Sequence, residues 1–107
     1  MKVAVAKYQI DAPRSFAEFA EKQSRLLAEA ARARAEIVVL PEYLSLELAA
    51  SFDATVSGSL PASLRAIQEY RGLWLELFSG LARAHRLHLV AGSFLLAQGA
   101  RYRNRSD

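Results

Sequence analysis

The chain has 107 residues, of which 52% are hydrophobic, and its formal charge is +3. This size and composition predict one small domain with a packed core and exclude a disordered or fibrous chain. The sequence contains no cysteine, which excludes disulfides, thiolate metal sites and a cysteine nucleophile within these residues. The apolar runs are too short to cross a bilayer, and the N-terminus lacks the pattern of a signal peptide. We therefore expect a cytoplasmic protein that does not bind membranes.

The first half of the chain predicts a strand, a helix and a second strand. The first strand is expected over residues 3–10 and is followed by a turn. Ser15 and Glu18 then form an S-x-x-E capping box, which marks the start of a helix whose apolar residues recur at helical spacing. The second strand covers residues 37–40 and ends at Pro41, because proline has no amide hydrogen to donate to a sheet.

The second half continues the alternation after a long connection. The connection runs from residue 41 to about residue 62, a length typical of functional loops, and residues 44–50 within it are a candidate for a short helical turn. A second long helix is expected over residues 63–86 and a third strand over residues 87–96. The segment beginning at Arg101 is expected to open an antiparallel strand.

The order β-α-β-α-β predicts an α/β fold with parallel strands and right-handed crossovers. Strands this apolar need cover on both faces, whereas the chain supplies two long helices. If both helices lie on one face, a second layer must come from more chain or from a partner. We therefore expect residues 1–107 to be the N-terminal part of one larger domain, with no second domain, and the isolated chain to associate.

A carboxylate directly follows the second strand. Glu42 comes after the apolar residues 37–40 and Pro41, at the carboxyl edge of the sheet, where open α/β sheets bind their ligands. A carboxylate held there is a candidate general acid or base. A surface or helix-capping role is the alternative for the isolated motif. Tyr43 is a candidate substrate contact, and packing under the loop is an equally good alternative.

Four segments, in order, resemble the nitrilase superfamily, the carbon–nitrogen hydrolases. Residues 3–9 resemble the family's first strand, which commonly ends in glutamine, and residues 35–42 resemble its strand with an acidic residue after Leu-Pro. Residues 87–94 resemble the following strand, and residues 102–104 resemble the start of the next. The resemblance covers essentially the whole chain, but only the N-terminal part of a complete family domain.

The resemblance implies an α-β-β-α sandwich and hydrolysis of an amide or nitrile through a Glu-Lys-Cys site with a thioester intermediate. Glu42 matches the glutamate. The lysine and cysteine belong to later family segments, and Lys2, Lys7 and Lys22 do not match the lysine. These residues alone are therefore expected to be inactive. The resemblance also implies a small-molecule substrate, a homo-oligomer, and no metal or organic cofactor.

Two other functions stay open on the sequence. The absence of cysteine favours a non-catalytic interaction module or pseudoenzyme, if these residues are the entire product. The cluster of Arg101, Arg103 and Arg105 is compatible with nucleic-acid binding, although a solvated surface is the preferred interpretation and no nucleic-acid partner is expected. No metal site is expected at His85 and His88, because the helix is predicted to end between them.

Overall fold

The computed structural model describes residues 2–5, 8–41, 44–52, 55, 58–91, 93–98 and 101–106, with the backbone alone for residues 95, 98, 101–104 and 106. Its elements, in chain order, are β1 Val3–Val5, α1 Phe16–Arg32, β2 Ile37–Val39, a 3₁₀ helix Leu44–Ser51 (the 44–51 helix), α2 Leu60–Ala66, a 3₁₀ turn Ile67–Tyr70, α3 Arg71–His85, β3 His88–Val90, β4 Ser93–Gln98 and β5 Arg101–Ser106. The fold is therefore mixed α/β, as predicted. No helix in the described ranges is long and apolar enough to span a membrane.

Helix α1 begins where the sequence predicts. The Ser15 side chain accepts a hydrogen bond from the Glu18 amide at 3.2 Å, which satisfies one of the amides left unpaired at a helix start. The Glu18 carboxylate forms an ion pair with Arg14 at 3.2 Å. The helix buries Phe19, Gln23 and Leu27 against the core.

Strands β1, β2 and β3 form a parallel sheet with β2 in the middle. The register aligns Val5, Val39 and Val90 at the carboxyl edge of the sheet. The first strand is shorter than predicted, because residues 8–10 have no regular secondary structure. In that stretch the Tyr8 hydroxyl and the Gln9 carbonyl bond to side chains of other elements.

The predicted third strand over residues 87–96 is wrong as a single element. Strand β3 ends at Val90 in the parallel sheet, whereas β4 pairs antiparallel with β5 in a separate two-stranded sheet. The antiparallel strand expected near Arg101 is confirmed as β5. Phe94 of β4 packs with its ring centroid 5.3 Å from that of Trp74. A largely apolar run therefore concealed a change of sheet, because apolar residues continue from β3 into β4.

The predicted long helix over residues 63–86 consists of three consecutive segments. It begins earlier than expected, at Leu60, where the Ser59 side chain accepts from the Ala62 amide at 3.4 Å. The 3₁₀ turn Ile67–Tyr70 then separates α2 from α3. Hydrophobic periodicity does not distinguish such a short tighter turn from a continuous α-helix. The short helical turn predicted near residues 44–50 is confirmed by the 44–51 helix.

Helices α1 and α3 cover one face of the parallel sheet. Val38 of the middle strand is buried on that face, beside Leu26 of α1. Side chains alternate between faces along a strand, and the opposite face is open. On it Val3, Val5 and Val90 are 52%, 74% and 41% exposed. The sheet is thus covered by helices on one side only within the described ranges.

Candidate functional site

The two site residues taken from the sequence, Glu42 and Tyr43, lie outside the described residues. Both flanks of this pair are described. Upstream, the Leu40 amide donates to the Val90 carbonyl at 2.9 Å, which ties the end of β2 to β3. Downstream, Leu44 and Ser45 are buried at the start of the 44–51 helix. The chain therefore enters and leaves this position from packed structure.

A polar cluster around a buried carboxylate connects the segment after β1 to α1 and to the 44–51 helix. It consists of Tyr8, Asp11, Lys22, Gln23 and Glu47, and we refer to it as the Glu47 cluster. The Glu47 side chain is 2% exposed and accepts from the Tyr8 hydroxyl at 2.6 Å and from the Asp11 amide at 3.0 Å. Its third partner is the Lys22 ammonium, also at 3.0 Å. This buried carboxylate therefore has three partners on two other chain segments, the segment after β1 and helix α1.

Lys22 is equally well partnered. Its Nζ lies 2.6 Å from the Gln9 carbonyl oxygen, 2.9 Å from Asp11 Oδ2 and 3.0 Å from Glu47 Oε2. A protonated lysine has three N–H donors, so these three acceptors account for all of them. The ammonium also lies 4.0 Å from the centroid of the Tyr8 ring, a favourable cation–π distance.

Gln23 completes the cluster from within α1. Its Nε2 donates to the Tyr8 hydroxyl at 2.7 Å, and that hydroxyl donates onward to Glu47. Its Oε1 is buried and finds no hydrogen-bond donor among the described residues. The chain Gln23–Tyr8–Glu47 therefore orients the tyrosine hydroxyl towards the carboxylate.

The surroundings of the cluster keep both Tyr8 and Lys22 protonated at neutral pH. Burial, reinforced by the hydrogen bond to Glu47, raises the pKa of Tyr8 to about 12. Burial by itself lowers the pKa of Lys22, but hydrogen bonds to Asp11 and Glu47 outweigh it, so that the net change is upward. At neutral pH Tyr8 is a neutral donor and Lys22 is a cation. Neither group is poised to exchange a proton near pH 7.

The sequence interpretation missed this cluster, although two signals point to it. Lys22 lies between Phe19 and Leu26 at helical spacing, on the flank of the apolar stripe of α1. Glu47 is the one charged residue in the otherwise apolar and small segment 44–51. A charge inside an apolar pattern indicates a buried pair more often than an isolated buried charge.

The profile of the carbon–nitrogen hydrolase family matches residues 2–106. The chain belongs to this family, the nitrilase superfamily. Probable hydrolase YhcX of Bacillus subtilis (strain 168) is 28% identical over 104 residues, which are 97% of this chain and 20% of that protein. The chain thus spans about a fifth of the length of this curated relative. No solved structure matches the chain.

The family is described as carbon–nitrogen hydrolases, and the relative is named a probable hydrolase. The other residues considered from the sequence lie apart from the Glu47 cluster. Trp74 and Phe78 are core residues of α3. His85 ends α3 and His88 begins β3, and the described residues contain no group of three side chains suited to a metal ion. Arg105 is exposed on β5, and the side chains of Arg101 and Arg103 lie outside the described part.

Proposed function

We propose that this chain is the N-terminal part of a nitrilase-type domain that hydrolyses amides or nitriles, with Glu42 as its general acid and base. The observation that carries the proposal is the family match over residues 2–106, combined with the position of Glu42 in the sequence. It follows β2, the middle strand of a parallel sheet. The carboxyl edge of such a sheet is where ligands bind in open α/β folds.

The proposed reaction requires a thiol and a lysine supplied by residues outside this sequence. The Glu42 carboxylate accepts the thiol proton, and the thiolate attacks the amide carbon to give a tetrahedral adduct. Glu42 then returns the proton to the departing nitrogen, which leaves as ammonia or an amine and generates a thioester. Glu42 next takes a proton from water, whose attack releases the carboxylic acid and regenerates the thiol. The lysine ammonium stabilises the oxyanion in both steps.

We further propose that the open face of the parallel sheet receives a second sheet, giving the α-β-β-α sandwich. The exposure of Val3, Val5 and Val90 on that face supports this arrangement. Large exposed apolar patches on a soluble domain indicate an interaction surface. A homo-oligomer is proposed for the complete gene product by family resemblance alone, and light scattering of that product tests it.

The test of the catalytic assignment is Glu42→Gln in the complete gene product, assayed for ammonia release from short aliphatic amides and nitriles. We expect turnover to fall by about 10²–10⁴-fold, since general acid–base catalysis contributes that much, while the circular dichroism spectrum stays unchanged. Glu36→Gln is the matched control, because Glu36 is exposed just before the other end of the same strand. Turnover by Glu42→Gln equal to that of the control would refute the assignment.

A non-catalytic module is the second candidate, which the absence of cysteine favours only if these residues are the entire product. It predicts no turnover by the complete gene product with any of these amides or nitriles, and no effect of alkylation by iodoacetamide on its properties. The enzymatic proposal predicts turnover that iodoacetamide abolishes, because alkylation removes the nucleophile.

A further inference from the structure

We propose that the Glu47 cluster positions the catalytic acid: Glu47, Lys22 and Tyr8 fix the 44–51 helix and thereby the segment that carries Glu42. This inference rests on the proposed function of Glu42 and adds positioning residues to it. None of the three is assigned a direct contact with substrate.

The two flanks of residues 42–43 are fixed in different ways. The upstream flank belongs to the sheet through the bond between the Leu40 amide and the Val90 carbonyl. The downstream flank belongs to the 44–51 helix, which is outside the sheet. The place of Glu42 relative to the carboxyl edge therefore depends on where this helix is held.

Polar contacts hold the 44–51 helix at two points. In its middle, Glu47 bonds to Tyr8 and Asp11 after β1 and to Lys22 of α1. At its end, Ser51 Oγ lies 2.8 Å from the Tyr70 hydroxyl. Burial of Leu44 and Leu48 keeps the helix against the core, but apolar contacts tolerate small displacements of the helix. Hydrogen bonds require a narrow range of length and angle, so they fix its position more closely.

The contacts of the Glu47 cluster fit a positioning role better than a ligand-binding role. All three Lys22 donors are occupied by protein acceptors, so none is left for a ligand. A buried ion pair often contributes little net stability compared with apolar residues of similar volume. A functional reason for retaining one here is that Glu47 joins three segments of the chain and lies close to Glu42 in sequence. Glu47 and Glu42 are five residues apart in sequence. The distance between their Cα atoms is therefore at most about 18 Å, the length of five fully extended residues.

The test uses the complete gene product with the same aliphatic amides. Glu47→Gln and Lys22→Met are expected to lower kcat at least tenfold and to change KM less than twofold. The physical reason is that a misplacement of about 1 Å can cost roughly 10²-fold in rate. All rates are measured well below the thermal midpoint of each variant. A purely structural role would lower the midpoint and leave kcat of the folded protein unchanged.

Arg25→Met is the matched control, because Arg25 is on the same helix and its ion pair with Glu21 is solvent-exposed, with side chains 69% and 68% exposed. It should leave both kcat and KM unchanged. If Glu47→Gln does not fold, the same measurements are made on Tyr8→Phe, which removes the two hydrogen bonds of the Tyr8 hydroxyl and keeps every charge.

The results separate this inference from the function on which it rests. Wild-type kcat in a folded Glu47→Gln or Tyr8→Phe variant, together with an inactive Glu42→Gln variant, overturns the positioning role alone. Full turnover in Glu42→Gln overturns the proposed function and the positioning role with it. An equal loss of kcat in Arg25→Met would also contradict a specific role for the cluster.

Discussion

Replacing Lys22 by methionine removes the ammonium from the Glu47 cluster and leaves an unbranched side chain of similar length beside the Tyr8 ring. Glu47 then keeps the Tyr8 hydroxyl and the Asp11 amide as donors and loses its cation. The Glu47 side chain is 2% exposed, so water cannot replace the missing charge. Removing one partner of a buried pair costs about 3–5 kcal/mol, and we expect Lys22→Met to reduce the free energy of unfolding by that amount.

The reverse substitution should cost less. After Glu47→Gln, Lys22 keeps the Asp11 carboxylate and the Gln9 carbonyl, and its side chain is 16% exposed. The loss then approximates one charged hydrogen bond, about 1.5–3 kcal/mol. The double variant, Lys22→Met with Glu47→Gln, has no unpaired carboxylate at residue 47. The free energy of unfolding that it loses should therefore be smaller than the sum of the two single losses by about 1–3 kcal/mol.

The assay is urea unfolding at pH 7, followed by circular dichroism and extrapolated linearly to zero denaturant. Arg25→Met, which breaks the exposed pair with Glu21, serves as the control and should change the free energy of unfolding by no more than about 1 kcal/mol. The reasoning is refuted if Lys22→Met behaves like this control. It is also refuted if Lys22→Met and Glu47→Gln are strictly additive.

Three further perturbations test other parts of the structure. The free energy of unfolding should fall as pH rises from about 10 to 12, because Tyr8 ionises near its ordinary pKa in the unfolded chain but only at about 12 in the folded one. The raised pKa of Lys22 acts in the same direction, and urea midpoints across this range should fall less steeply in Tyr8→Phe. Phe19→Ala should cost about 3–5 kcal/mol because Phe19 is fully buried, whereas Leu73→Ala at an exposed site should change urea stability by no more than about 0.5 kcal/mol. Arg34→Gly should raise the thermal midpoint by the equivalent of about 0.5–1 kcal/mol, since Arg34 has φ of 63°, which glycine adopts without steric cost; an unchanged or lower midpoint would contradict this.

Local chemistry explains which elements the sequence could predict. Ser15 satisfies the start of α1 through a contact three residues away, so the signal and its cause lie within one turn of helix. The same holds for Pro41, which limits β2. The division of residues 87–96 between two sheets depends instead on partners elsewhere in the chain. The apolar pattern predicts strands here, but it does not show which neighbours those strands pair with.

The Glu47 cluster could not be predicted as a unit, because its members are far apart in sequence. Tyr8 and Glu47 are 39 positions apart, and only the packing of the 44–51 helix beside α1 brings them together. What the sequence offers is a charge inside each of two apolar patterns, at Lys22 and Glu47. Two such unexplained charges of opposite sign are a reason to predict that they pair.

The family assignment rests on a different kind of information. The ordered resemblance of residues 3–9, 35–42, 87–94 and 102–104 anticipates the family match over residues 2–106. The elements themselves are consistent with many α/β domains, and fold class alone does not determine a reaction. The role proposed for Glu42 comes from the resemblance, whereas the fold provides a sheet edge of the kind at which open α/β folds bind ligands.

The open sheet face has an apolar row at the carboxyl edge, the edge at which the proposed site is expected. In the register of the parallel sheet, Val5, Val39 and Val90 form one row at the carboxyl end. Val3, Ile37 and His88 form the row nearer the amino end, so the wholly apolar row is the one beside the segment that carries Glu42. A layer that covers this row would also exclude water next to Glu42, and a dry site strengthens the electrostatic interactions on which general acid–base catalysis depends. We therefore expect one added layer both to cover the open sheet face and to carry the thiol and the lysine proposed for catalysis.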